Sequence, residues 1–133
     1  MIGYVTIGTN DIAAARQFYD SLLGMIGASR IMEFGEELGG FTMYGRSMTE
    51  PGFVITHPFD GAAATQGNGN MVAVQLDSRA LVDAVHARAL ELGGSCEGPP
   101  GLRGEEGDMA FYAAYFRDPE GNKLAAFKYG PAD

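Results

Sequence analysis

The sequence predicts an α+β protein built from two tandem βαβββ modules that form a cupped mixed sheet, and three observations carry that prediction. The strand-like opening YVTIGTND (residues 4–11) returns as MVAVQLDS (71–78) at a constant offset of 67. Each copy runs into a segment whose apolar residues recur at helical spacing and which stops at glycine. Each helix is then followed by three short strand candidates separated by Gly-rich or Pro-containing turns.

Taken in order, Val5 and Ile7 alternate with Tyr4, Thr6 and Gly8, which marks a strand with one apolar face. Asn10 or Asp11 caps a helix whose stripe is Ile12, Ala15, Phe18, Tyr19, Leu22 and Leu23, with Gly24 as the stop. Strands are expected near Arg30–Phe34, Phe41–Tyr44 and Phe53–His57. The connection DGAAATQGNGN is of the flexible, Gly/Ala/Asn-rich kind, so one domain is expected over 1–133, with module 1 at about 1–60, a linker at about 60–70 and module 2 at about 70–130. In the second module Val72 and Val74 repeat the inward phase, Asp77 or Ser78 caps, and Leu81, Val82, Val85, Ala89 and Leu92 form the stripe before Gly93-Gly94. Strands are expected near Ser95–Glu97, Met109–Phe116 and Lys123–Lys128.

A module of about 60 residues buries too little apolar surface to stand by itself, so the two are expected to share one sheet system with a helix on one face of each. The other face, bearing Tyr4, Thr6, Met71, Ala73 and Gln75, then lines a cup, and a cup is where a ligand binds.

Composition narrows the classes of function. The 133 residues carry 17 acidic and 9 basic side chains, a net charge of −8 shared evenly between residues 1–60 and 61–133. With no basic stripe, neither nucleic acid nor an anionic membrane is an expected partner. No apolar run approaches the roughly 20 residues of a membrane helix. The opening MIGYVTIG has neither a basic leader nor a long apolar core, so no signal peptide is read and a cytoplasmic home is expected. Cys96 is the single cysteine, which excludes an internal disulfide and fits a reducing compartment; the expectation for it is an inert packed thiol.

The duplicated βαβββ pattern, the helix end FYDSLLG (18–24), the PPGLR segment (99–103) and the closing turn DPEGN (118–122) together resemble the vicinal oxygen chelate superfamily, the glyoxalase, bleomycin-resistance and dioxygenase fold. The resemblance spans residues 2–129. It implies a homodimer or an intrachain pairing of modules, and in metal-dependent members a set of His, Glu or Gln ligands. At the matching positions this chain has Tyr4, Val54, Met71 and Ala125. A neutral phenol, a thioether and two alkyl groups do not offset the dehydration of a divalent metal, so neither a superfamily metal site nor any other cofactor is expected.

The resemblance therefore implies a metal-free cup that binds or sequesters a small apolar or aromatic molecule. Its candidate lining is Tyr4, Thr6, Val54, Thr56, Met71, Ala73, Gln75, Arg103, Tyr112, Ala125 and Phe127. Tyr4 is either an aromatic wall or a general acid. The loop 98–108 is either solvated or a lid that brings Arg103 to an anionic group. His57 reads as a strand-end histidine and His86 as solvent-exposed or half-packed. The alternative is a glyoxalase-like lyase or isomerase that needs no metal or has an atypical site, with Tyr4 as acid and Glu105 or Glu106 as base.

Overall fold

The computed structural model describes residues 1–132 and confirms the α+β class and the two modules. The chain divides into two compact units, the first ending at Asn68 and the second starting at Gly69. The first contains β1 (Tyr4–Gly8), α1 (Ile12–Gly24), β2 (Ser29–Glu33), a 3₁₀ turn (Glu36–Leu38), β3 (Thr42–Gly45) and β4 (Gly52–Thr56). The second contains β5 (Val72–Gln75), α2 (Arg79–Glu91), β6 (Ser95–Leu102), β7 (Phe111–Arg117) and β8 (Lys123–Tyr129).

Each unit makes one four-stranded mixed sheet, ordered β1-β4-β3-β2 in the first and β5-β8-β7-β6 in the second. In both, the first and last strands of the unit run parallel and the remaining pairs are antiparallel. A parallel pair needs a crossover, and each helix begins that crossover and packs back on the sheet.

In the first unit Asp11 is the cap: its carboxylate accepts from the Ala14 N–H at 3.0 Å. Asn10 does something else. Its side chain exchanges two hydrogen bonds with the Ala64 backbone, at 3.2 and 2.7 Å, so the expected flexible linker is docked on the end of β1 as far as residue 64. The α1 stripe is buried at Ile12, Phe18, Tyr19, Leu22 and Leu23. Tyr19 packs its ring 4.9 Å from Phe53 and 6.4 Å from Tyr44, which fixes the helix side of the sheet. Each such fully buried side chain stabilises the unit by about 1.5–3 kcal/mol. Below the helix the Tyr44 hydroxyl donates to Asp20 at 2.7 Å, and Arg30 grips the same carboxylate. The bond from Arg30, more than that from Tyr44, holds the Asp20 carboxyl below its ordinary range.

In the second unit Ser78 caps α2, accepting from Leu81 N–H at 3.0 Å. The buried face is Val82, Val85, His86 and Ala89. His86 therefore corrects the expectation of a solvent-exposed or half-packed ring: it is 6% exposed, with Nε2 3.3 Å from Cys96 Sγ and its ring 6.4 Å from that of Phe116. Cys96 is also a correction, since it is exposed rather than packed. Burial depresses the His86 pKa below the ordinary histidine value, and nearby Asp83 opposes this in part.

A pH dependence follows with a definite sign. A depressed pKa means that the unfolded chain binds more protons, so stability is complete above the ordinary histidine pKa of about 6.5 and falls as the pH drops below it. The melting temperature is expected to fall between pH 7.5 and 5.5, and His86→Phe to flatten that slope. An unchanged slope in the variant would remove His86 as its source.

Candidate functional site

With α1 on one side, the register of the first sheet leaves Thr6, Val54 and Met43 side by side on the other, with Tyr4 two residues along β1. The predicted facing of Tyr4 and Thr6 is thus observed, and Tyr4 is 54% exposed. Its ring meets Phe41 edge-on at 6.4 Å, and Phe41 lies 5.8 Å from Phe34, giving an aromatic row on the face away from α1. Val54, by contrast, is fully buried. Thr56 spends its hydroxyl on the Gly39 and His57 carbonyls at 3.3 and 3.1 Å, so it braces a turn more than it offers a free group.

Beside this row, at the C-terminal ends of the parallel strands β1 and β4, lies a cavity of about 730 Å³. Thr6 and Phe41 border it on the sheet side, Glu36 and Leu38 on the 3₁₀ turn, and His57 and Phe59 on the segment after β4. The turn reaches that place through two consecutive left-handed glycines, Gly39 (φ 73°) and Gly40 (φ 65°). A Cβ on Gly40 would lie 2.8 Å from Ile12 Cγ1, so the close approach admits glycine only. His57 Nδ1 is 3.0 Å from the Thr9 carbonyl, and Nε2 is 3.5 Å from Glu36 Oε2. Sequence reading took His57 for a strand-end residue. Nothing in the spacing of two groups 21 residues apart signals that they meet.

In the second sheet Ala73 pairs with Ala125 and Gln75 with Phe127, and these four share the face away from α2. Met71 immediately precedes β5 and is 45% exposed. Tyr112 is a correction. It is paired with Lys128 and donates its hydroxyl to Asp83 of α2 at 2.6 Å, which puts it on the helix side. That bond raises the Tyr112 pKa. The β7 aromatics on the face away from α2 are Phe111, its ring 5.2 Å from that of Phe127, and Tyr115, the register partner of Ala125, which the sequence reading missed. Arg103 lies over the Tyr115 ring at 5.5 Å and donates to the Pro99 and Gly101 carbonyls at 2.7 and 2.9 Å.

The reading of 98–108 as a loop, solvated or a lid, is also revised. Residues 98–102 belong to β6 and pair with β7 as far as Leu102 opposite Tyr112. Beyond them, Glu106 takes two bonds from Arg79 at 2.7 and 2.6 Å, which ties the loop to the start of α2 and lowers the Glu106 pKa. A carboxylate so committed is a poor base at neutral pH. Glu105 is exposed on the same loop.

Residues 1–126 match the model of the Glyoxalase/Bleomycin resistance protein/Dioxygenase superfamily. The chain belongs to this superfamily. A glyoxalase/bleomycin resistance protein from Albidiferax ferrireducens T118 is 37% identical, with a TM-score of 0.80 over 96% of this chain and 98% of that one. A glyoxalase/bleomycin resistance protein/dioxygenase family enzyme from Burkholderia phytofirmans PsJN is 21% identical, with a TM-score of 0.69 over 96% and 97% of the two chains. A lactoylglutathione lyase from Agrobacterium tumefaciens is 18% identical, with a TM-score of 0.64 over 96% and 92%, a likeness of fold. No curated protein matches the chain.

The superfamily's metal does not fit the residues present. Within the first unit the two matching positions are an exposed phenol, Tyr4, and a fully buried alkyl group, Val54. Within the second they are the thioether of Met71 and Ala125, the latter 1% exposed. Among the described residues no three His, Cys, Asp or Glu side chains are grouped so as to hold a metal ion. Among the described residues no helix is long and apolar enough to cross a membrane.

Proposed function

We propose that this superfamily member binds or sequesters a small, largely apolar or aromatic molecule in a metal-free site, and that it does so as a cytoplasmic homodimer. The observation that carries the reading is the row Tyr4, Phe41 and Phe34 on the face of the first sheet away from α1, running into the cavity bordered by Phe41 and Thr6. Aromatic rings without a helix above them give a flat ligand its stacking surface, and a few hydroxyl groups give it orientation. Met71, Phe127 and Tyr115 provide comparable apolar surface on the second sheet.

The test is a thermal-shift screen against aromatic compounds and antibiotics, followed by titration of the best compound. Phe41→Ala is expected to weaken that compound by about tenfold, the loss of about 1.4 kcal/mol of contact. A panel in which nothing moves the melting temperature would sink the binding reading. The alternative, a glyoxalase-like lyase or isomerase, predicts a turnover that survives EDTA and drops in Tyr4→Phe. The commitment of Glu106 to Arg79 argues against Glu106 as its base.

A further inference from the structure

The second unit holds a pair of reactive side chains that the binding faces do not use. His86 on α2 is 6% exposed, and among the described residues the one hydrogen-bond partner of its ring is the Cys96 sulfur, 3.3 Å from Nε2. Cys96 itself is exposed, on β6 at the edge of the sheet. A tight turn between helix and strand brings the two together: a Cβ on Gly94 would lie 2.5 Å from the Arg117 carbonyl oxygen and 2.8 Å from that of Ala89. Phe116, the register partner of Cys96, sets its ring edge-on to the imidazole at 6.4 Å.

A nucleophile open to solvent with a base buried behind it is the arrangement that activates a thiol. Burial keeps the imidazole neutral near pH 7, since it holds the His86 pKa below the ordinary histidine value. Both tautomers of the neutral ring favour the thiolate: Nε2 takes up the thiol proton where it carries the lone pair, and donates to the sulfur where it carries the hydrogen. The carboxylates nearest the pair are engaged elsewhere. Asp83, one turn earlier on α2, accepts from the Tyr112 hydroxyl at 2.6 Å, and Glu97 accepts from Arg117 at 2.6 Å.

We infer that Cys96 is a covalent capture site for small uncharged electrophiles that carry a conjugated carbonyl group, with His86 handling the proton. Cys96 Sγ attacks the β-carbon, a carbon–sulfur bond forms, and the alkene π pair moves towards the carbonyl to give an enolate. The thiol proton passes to His86 Nε2 and from there to the α-carbon, so the step is an addition that needs no oxidant and releases no leaving group. An addition uses the imidazole twice, whereas a displacement sends the proton off with the departing group. The net charge of −8 disfavours anionic reagents.

This site is independent of the binding reading above. Its test adds acrylamide to the full chain and follows the intact mass; Cys96 is the only cysteine, and Cys96→Ser should form no adduct. The folded chain is expected to react about tenfold faster than the same chain in urea, each rate taken relative to N-acetylcysteine in the same solvent. That gain is on the low side of what a positioned base supplies, because this thiol is open to water. His86→Gln keeps a hydrogen-bonding group beside the sulfur but takes up no proton, and should bring the folded variant down to the unfolded rate. Iodoacetamide, a displacement reagent, should gain less from folding than acrylamide does. A folded parent no faster than the unfolded one would overturn the inference, and this comparison decides alone if the glutamine variant does not fold. A folded His86→Gln that reacts like the parent would overturn it too, and an equal gain with iodoacetamide would overturn the assignment to conjugated carbonyls.

Discussion

Replacing Val54 by glutamate is expected to lower the stability of the chain by about 3 kcal/mol, because it puts an uncompensated carboxylate in a closed place. Val54 is fully buried, and its register neighbours on the same face are Thr6 and Met43, a hydroxyl and a thioether. The resemblance implies that metal-dependent members often have a glutamate at the matching position, where a bound cation would neutralise it. Here the carboxylate would have to take up a proton or force the strand to move. The measurement is urea denaturation of the variant beside the parent, with the midpoint expected to fall at an unchanged slope. A loss under about 1 kcal/mol would show that the carboxylate reaches a good partner. The misfit of this position to a metal would then be a matter of one side chain, not of its whole surroundings.

Asp118→Ala is expected to cost about 3 kcal/mol as well, through hydrogen bonds instead of charge burial. The Asp118 carboxylate accepts from the Glu120 N–H at 3.0 Å, from the Asn122 N–H at 2.8 Å and from Asn122 Nδ2 at 3.0 Å. Asp118 and Asn122 are 6% and 7% exposed, so alanine would strand donors that water does not easily reach. The same turn closes with the Asp118 N–H on the Asn122 carbonyl at 2.9 Å and sets the register of β7 against β8, with Arg117 opposite Lys123. Denaturation would read the loss, and faster amide exchange at the β7 and β8 ends beside the turn would locate it. Asp118→Asn keeps one acceptor oxygen and should fall between the two. If alanine is as stable as the parent, the carboxylate only decorates a turn that the Pro119 and Gly121 backbone makes unaided.

The run RDPEGNKLAAF was legible for this physical reason: a turn that consumes its polar side chains internally leaves a fixed spacing in the sequence. The α1 stripe and the alternation in β1 and β5 were equally plain, because each element has one covered side and one open side. Legibility fails where that contrast is missing. In FYAAYFR apolar residues point both ways, so period two has no phase, and Tyr112 was placed on the wrong side of β7. GPPGL, residues 98–102, reads as a loop because of its prolines and glycines, yet it continues β6, which pairs with β7 only, and an edge strand tolerates both proline and the two register shifts seen there. His86 lies on the rim of its helical stripe, and only the packing of Phe116 and Cys96 around it decides that it is buried. Glu36 and His57 meet through a backbone turn, which no pattern of side chains announces.

The 3₁₀ turn and its glycines divide the rim of the cavity into a fixed part and a free part. Gly39 and Gly40 are committed to left-handed backbone, with Thr56 and Ile12 pressed against them. Glu36, Glu37 and Leu38, immediately before, are exposed and form no part of the core. Changes at those three places are therefore uncoupled from folding, while they rewrite the charge and shape that a ligand meets. The chain can drift towards new small molecules in single steps without passing through unstable intermediates, and a library randomised at 36–38 on an otherwise unchanged background would sample that drift directly.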